Sequence, residues 1–245
     1  MSLETDRKEN VRIKILCAVL KIQIKDFGEI RGLFLYISSV LWYTGKSKNY
    51  LRRNTERSKS VLMLEADITK HFRDAEMVLI GVGEELKPDG SSQRSDRIVM
   101  AFNTLPPLLR GKTYFVVSQN SDDLVFRSNL LPFFIAEPYG PKENSSCSEE
   151  QWNTYLRWVS GTLGHRLLLL ELGVGFASPE LIRWPFEKIT QINMKSSLIR
   201  VHASFPQLPK ELAETGRAFS VKCNSIEWLE KLKQWDEKAD QKEDA

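Results

Sequence analysis

Cysteine and histidine are scarce in this chain, with three of each among 245 residues. Cys17, Cys147 and Cys223 stand far apart and are odd in number. They form no disulfide framework, and no pair has the spacing of a zinc-ligand motif, so no zinc is expected. A chain of that kind belongs by default to a reducing compartment, and the cytoplasm is the expected location. Long hydrophobic runs are also missing. The most apolar stretch, Gly32 to Tyr43, is about a dozen residues, short of the roughly 20 needed to span a bilayer. The charged segment Met1 to Asn10 lacks the ordered regions of a secretion signal. No membrane partner is expected. A net charge of +3 is too small to argue for nucleic acid, so none is expected either.

What remains is an ordinary globular composition, 42% hydrophobic and 27% charged, on a chain long enough for one generous core. The charge is unevenly placed. Residues 1–59 carry 13 Lys/Arg against 6 Asp/Glu, leaving the rest of the chain mildly acidic. This stretch reads as a basic extension or linker. A membrane-surface or nucleic-acid anchor is the sharper alternative, and a start codon assigned too far upstream would give the same pattern. The domain itself is expected over residues 60–245.

Within that domain, short apolar runs alternate with amphipathic stretches. Met77-Val78-Leu79-Ile80 ends in Gly81-Val82-Gly83, and Tyr114-Phe115-Val116-Val117-Ser118 ends in Gln119-Asn120-Ser121-Asp122. Phe133 to Ala136 is a third run, Leu167 to Leu172 the strongest, Ser197 to Val201 a fifth and Phe219 to Val221 a sixth. Continuous apolar runs of this length suit strands buried on both faces of a parallel sheet. Helices are expected over Val61–Phe72, Asp96–Leu109, Glu149–Leu163, Pro179–Asn193 and Ser225–Ala239, the last capped by Asn224 or Ser225. The pattern predicts an α/β fold: a Rossmann-like, mostly parallel sheet with helices on both faces. In such sheets ligands bind beyond the carboxyl ends of the strands.

The strand ends carry the candidate chemistry. Gly81 and Gly83 either make a tight turn or let backbone approach a ligand closely. Gln119, Asn120 and Asp122 can bond a ribose or an amide, although Asn/Asp-rich turns also arise for purely structural reasons. Gly173 and Gly175 close the strongest strand in the same way as the first pair. Trp184-Pro185-Phe186 can offer a partner surface, but packing into the core at a helix start is the simpler reading.

Taken in order, a strand ending Gly-x-Gly, one ending Gln-Asn-x-Asp and one ending Glu-Leu-Gly-x-Gly resemble a sirtuin. The likeness is nearest to short bacterial and macrodomain-linked sirtuins, and Pro179, Ile182-Arg183, Trp184-Pro185-Phe186 and Leu198-Ile199-Arg200 extend it. The resemblance covers residues 65–235, and residues 168–200 are its specific part. It implies NAD as cofactor, NAD or ADP-ribose as ligand, and lysine deacylation or ADP-ribosyl transfer on a protein substrate. It also implies roles. Gly81 and Gly83 would approach the phosphates; Gln119, Asn120 and Asp122 would hold the nicotinamide and ribose side; Gly173 and Gly175 would lie beneath the adenosine end.

The departures concern the chemistry. The family's catalytic His is absent from Ala136-Glu137-Pro138-Tyr139-Gly140. Glu137 acts as a base if an apolar pocket raises its pKa; the simpler reading is a surface-loop carboxylate. Glu84 and Glu85 replace small or hydroxyl residues and would repel a pyrophosphate unless turned away. Ala177 stands where related proteins often have Asn, and the four-cysteine zinc module is missing. His202 either faces the adenine ribose or is an ordinary loop histidine. Two functions follow as expectations. One is an NAD-consuming enzyme in which Asn120, Asp122 and Glu137 are catalytic, with activity weakened or lost. The other is an inactive sensor of NAD or ADP-ribose, or an interaction module.

Overall fold

The computed structural model describes residues 65–140 and 149–232, with side chains from residue 70 onward. The expected extension over residues 1–59 therefore lies outside the described residues, as does the end of the last helix. Six strands form one sheet: β1 (Met77–Val82), β2 (Thr113–Ser118), β3 (Ile135–Ala136), β4 (Leu167–Leu172), β5 (Ser197–Val201) and β6 (Ala218–Val221). All neighbours are parallel, in the order β3-β2-β1-β4-β5-β6. This is the doubly wound Rossmann order, and it reverses direction between β1 and β4.

Both sheet faces are covered, as the unbroken apolar runs require. On one face, Ile80, Val82, Leu168 and Leu170 pack with Phe72 of α1 (Glu65–Asp74), Ile98 and Phe102 of α2 (Ser92–Phe102), and Leu105 of the short α3 (Leu105–Leu108). Ile226 and Leu229 join them from α7, which opens at 225 and is described through 232. On the other face, Leu79, Phe115, Leu169 and Leu198 meet α4 (Glu149–Ser160), α5 (Arg183–Ile192) and α6 (Lys210–Ala213). Phe186 is fully buried here, so the Trp184-Pro185-Phe186 element supplies core packing.

Several boundaries differ from expectation for local reasons. The helix expected over Asp96–Leu109 starts earlier, capped by the Ser91 hydroxyl accepting from the Arg94 amide at 3.2 Å. It is interrupted after Phe102, because Pro106 and Pro107 lack the amides that would continue it. The same constraint at Pro132 turns Pro132–Phe134 into a 3-10 turn and shortens β3 to two residues. Pro179 lies before α5 rather than inside it.

Two charged residues interrupt the apolar strands at the same level. Glu171 of β4 and Arg200 of β5 are register partners, both buried, and pair through two bonds of 2.7 and 2.9 Å. Arg200 also bonds Glu187 of α5 at 2.9 Å, and Arg183 approaches Glu171 at 3.6 Å. Gly81 of β1 faces Glu171 in register, and a side chain there would strike Ile182 and Phe186. Its missing side chain seats α5 on the sheet.

Breaking a buried pair strands a charge, which costs about 3–5 kcal/mol, whereas removing both partners costs far less. Arg200→Leu is expected to lose about that much in urea unfolding, and adding Glu171→Leu is expected to recover only part of it, because Glu187 keeps a buried carboxylate that has lost Arg200. Loss below about 1 kcal/mol in the single variant would mean the pair is not buried as described.

Candidate functional site

The strand order points to the crevice beyond the carboxyl ends of β1 and β4. In this protein that crevice is filled from within. The loop after β1 runs through Glu84–Leu86 as a single 3-10 turn. The Gly83 amide donates to the Leu172 carbonyl at 2.8 Å, and the Glu85 amide donates to the Gly173 carbonyl at 3.2 Å. A Cβ on Gly83 would collide with the backbone of Gly173 and Val174. Gly173 has φ +63°, a left-handed conformation that favours glycine, and a Cβ there would meet that of Glu85. Gly175 lies directly against the Glu84 carboxylate. The glycines thus bring the two loops onto each other, and Gly81 lies back inside β1.

Glu85 is locked in place. Its Oε1 accepts from the Ala203 amide at 2.8 Å, and its Oε2 accepts from the Ser225 amide at 3.1 Å and hydroxyl at 2.8 Å. The carboxylate therefore sits at the amino end of α7, where a negative charge is favoured. Asn224 caps the helix, its Oδ1 accepting from the Ile226 amide at 3.0 Å. His202 is buried at the end of β5, with Nδ1 3.0 Å from Glu85 Oε1. Its Nδ1 also accepts from the Ser204 and Phe205 amides at 3.0 and 3.1 Å. Burial lowers its pKa, with Glu85 opposing. Nδ1 is thus shared between the Glu85 carboxylate and two backbone amides, and Nε2 has no hydrogen-bond partner. His202 is packed between its own loop and Glu85, not turned outward.

The edge beyond β2 and β3 is built differently. Gln119, Asn120 and Glu137 are only 7%, 2% and 0% exposed, and Asp122 is half-buried beside them. The Asn120 side-chain amide donates to the Gly83 carbonyl at 3.0 Å, tying this edge to the β1 loop. Its backbone amide donates to the Ser118 hydroxyl at 3.1 Å. Asp122 Oδ1 accepts from the Leu124 amide at 3.1 Å, forming a turn closed by Asp123 at φ 57°. These bonds leave Gln119 Oε1, Asn120 Oδ1, Asp122 Oδ2 and both Glu137 oxygens without a hydrogen-bond partner. Buried polar atoms are rarely left so, because each costs about 1–3 kcal/mol.

Glu137 is thus not a surface-loop carboxylate. Burial pushes its pKa up to about 8; Ser118 opposes the shift, and the charges of Asp122 and Asp123 add to it. Burial also raises Asp122, against the Leu124 amide bond and Lys87. A carboxyl group titrating near neutrality can give or take a proton in general acid–base chemistry.

Asn120, Asp122, Gln119 and Glu137 are therefore brought together, whereas Gly83, Gly173, Gly175 and His202 form a separate, closed set and Gly81 belongs to neither. Tested against a dinucleotide, the first set fits the donor groups of a carboxamide and a ribose. The second does not fit a pyrophosphate, since its loop amides are bonded to carbonyls and the Glu84 carboxylate lies over Gly175. Glu171, Arg200, Arg183 and Glu187 were not anticipated as a network. The only signal was a charged residue inside each of two apolar strands.

No protein-family model matches the chain, and no curated protein matches it. Among the described residues, no group of three or more His, Cys, Asp or Glu is placed to hold a metal ion, and no helix is long and apolar enough to cross a membrane.

Glu137 generates a pH prediction. Its carboxyl has a raised folded-state pKa, so its contribution to stability is complete below 4.5 and is lost as pH rises through about 8. Stability should fall across that window with a slope of up to about 1.4 kcal/mol per pH unit. Glu137→Gln should flatten the slope in urea unfolding at pH 5, 6.5 and 8. An unchanged slope would remove Glu137 as its source.

Proposed function

We propose that this chain is a sirtuin-like binding protein that holds the nicotinamide and ribose end of NAD, whole or as a fragment, with NAD-consuming activity weakened or lost. The observation that carries the reading is the group of five unpartnered acceptor oxygens on Gln119, Asn120, Asp122 and Glu137. They lie at the carboxyl edge of a sheet in Rossmann order, where ligands of this fold are bound. The Ser118 hydroxyl and Asp123 lie close enough to Glu137 to shift its ionisation, yet the oxygens on Gln119, Asn120 and Asp122 find no donor within the chain. Water serves when the site is free; the amide N–H and hydroxyl groups of a ligand serve when it is filled.

Loss of turnover is supported by the absence of a histidine beside Glu137 and by the closed loop pair at β1 and β4. One observation favours the second reading, an active enzyme. Glu137 is buried next to Asp122 and titrates near neutrality, so it can take the proton of a ribose hydroxyl. A protein substrate and a lysine deacylase or ADP-ribosyltransferase reaction belong to that reading alone.

Calorimetry on the full chain with NAD, ADP-ribose, nicotinamide and nicotinamide riboside tests the proposal, with released nicotinamide assayed in the same samples. Binding is expected for at least one nicotinamide-containing ligand, with release at the background rate. Asp122→Asn keeps the turn-forming oxygen and replaces the unpartnered acceptor by a donor. It should weaken binding about 10–100-fold, the range of a charge-assisted hydrogen bond. Release that depends on Glu137 would establish the enzyme instead. Absence of binding by all four ligands would overturn both.

A further inference from the structure

Resting on that reading, we infer that the site takes a phosphate-free ligand, neutral or cationic and rich in N–H and O–H donors such as a ribosyl carboxamide, and rejects the dinucleotide that the fold would ordinarily hold. Two independent features carry this. The first is the polarity of the β2–β3 edge. Its unpartnered atoms include the carbonyl oxygens of Gln119 and Asn120 and one carboxylate oxygen of Asp122, all acceptors, beside the Glu137 carboxyl, and three of these four side chains are at least nine-tenths buried. A phosphate brings further acceptors and negative charge, so it leaves these oxygens unsatisfied and adds repulsion. A ribose diol, a carboxamide or a pyridinium ring supplies what they lack.

The second feature is the crevice between β1 and β4. Phosphate binding there needs open backbone amides or a cation. The Gly83 and Glu85 amides are spent on the Leu172 and Gly173 carbonyls, and the Ser225 amide on Glu85 itself. The nearby guanidinium groups are committed as well. Arg200 is bonded to Glu171, Glu187 and the Gln207 carbonyl; Arg183 to the carbonyls of Val174, Phe205 and Gln207. Arg94 grips the carbonyls of Glu85 and Lys87, clamping the β1 loop. What the crevice presents to an approaching ligand is the carboxylate of Glu84 over Gly175. Admitting a pyrophosphate would require breaking the Glu85 contacts to Ala203 and Ser225 as well as accepting like charge.

The test compares nicotinamide riboside with NAD by calorimetry on the full chain, with inorganic phosphate and ADP-ribose as further probes. The riboside is expected to bind at least about tenfold more tightly than NAD, since like charge set face to face is costly, and phosphate and ADP-ribose are expected not to bind. Glu84→Gln removes the carboxylate that lies over Gly175, and it should narrow the gap by tightening NAD binding while leaving the riboside unchanged. NAD binding as tight as the riboside, or unaltered by Glu84→Gln alongside a large gap, would overturn the exclusion of phosphate while leaving the nicotinamide–ribose site standing. Failure of the riboside and NAD alike would overturn the site as well.

Discussion

The bidentate pairing of Arg200 with Glu171 is the interaction on which the carboxyl edge of this sheet depends. It locks β5 to β4 at one level, draws in Glu187 and therefore α5, and leaves Arg183 to hold the carbonyls of the loops after β4 and β5. A buried network of this kind contributes little net stability over an apolar core, but it tolerates no missing member. Burial alone disfavours the charge on Glu187, and Arg200 and Arg183 oppose that effect. The chain has thus spent Arg183 and Arg200 on internal order. None of the arginines just named is left to meet an anion.

That internal order divides the edge into two halves. Over β1, β4 and β5 the loops are interlocked: Gly83 on Gly173, Glu84 on Gly175, and Glu85 on Ala203, Ser225 and His202. Over β2 and β3 the backbone is held by Asn120 and Asp122, yet the remaining acceptors of the same side chains find no partner. Asn120 belongs to both halves, since its amide nitrogen fixes the β1 loop while its oxygen stays open. Polarity is unequal across them. In the closed half Glu85, Glu171 and Arg200 are all paired, whereas the open half accumulates acceptors at the cost of desolvation. Proteins keep such costs chiefly where a ligand offsets them.

The sheet was legible because its strands are buried on both faces and so read as continuous apolar runs. Leu167–Leu172 and Met77–Val82 needed no long-range information to be recognised. Where prolines intervened, at Pro106-Pro107 and Pro132, periodicity overran the element and the missing amides set the true boundary. The open half of the site was also legible, since Gln119, Asn120 and Asp122 follow one strand and share its end. Glu137 was half legible: its place at a strand end is local, but its burial depends on packing between distant segments. The closed half was not legible. Glu85 and Ser225 are 140 residues apart, and Glu171 meets Arg200 only once the strand register is known. Gly81 and Gly175 looked like ligand-approach glycines, yet the contacts that use them are with Ile182, Phe186 and Glu84.

The central claim is that the β2–β3 edge holds buried acceptors with no partner in the chain, and Glu137 reports on it most directly. Carbon-13 NMR of its side-chain carboxyl, assigned by comparison with Glu137→Gln, follows its ionisation without reference to any ligand. The account predicts a midpoint near 8 in the free protein. A midpoint at the ordinary value of 4.5 would show a solvated or partnered carboxylate, and would contradict it.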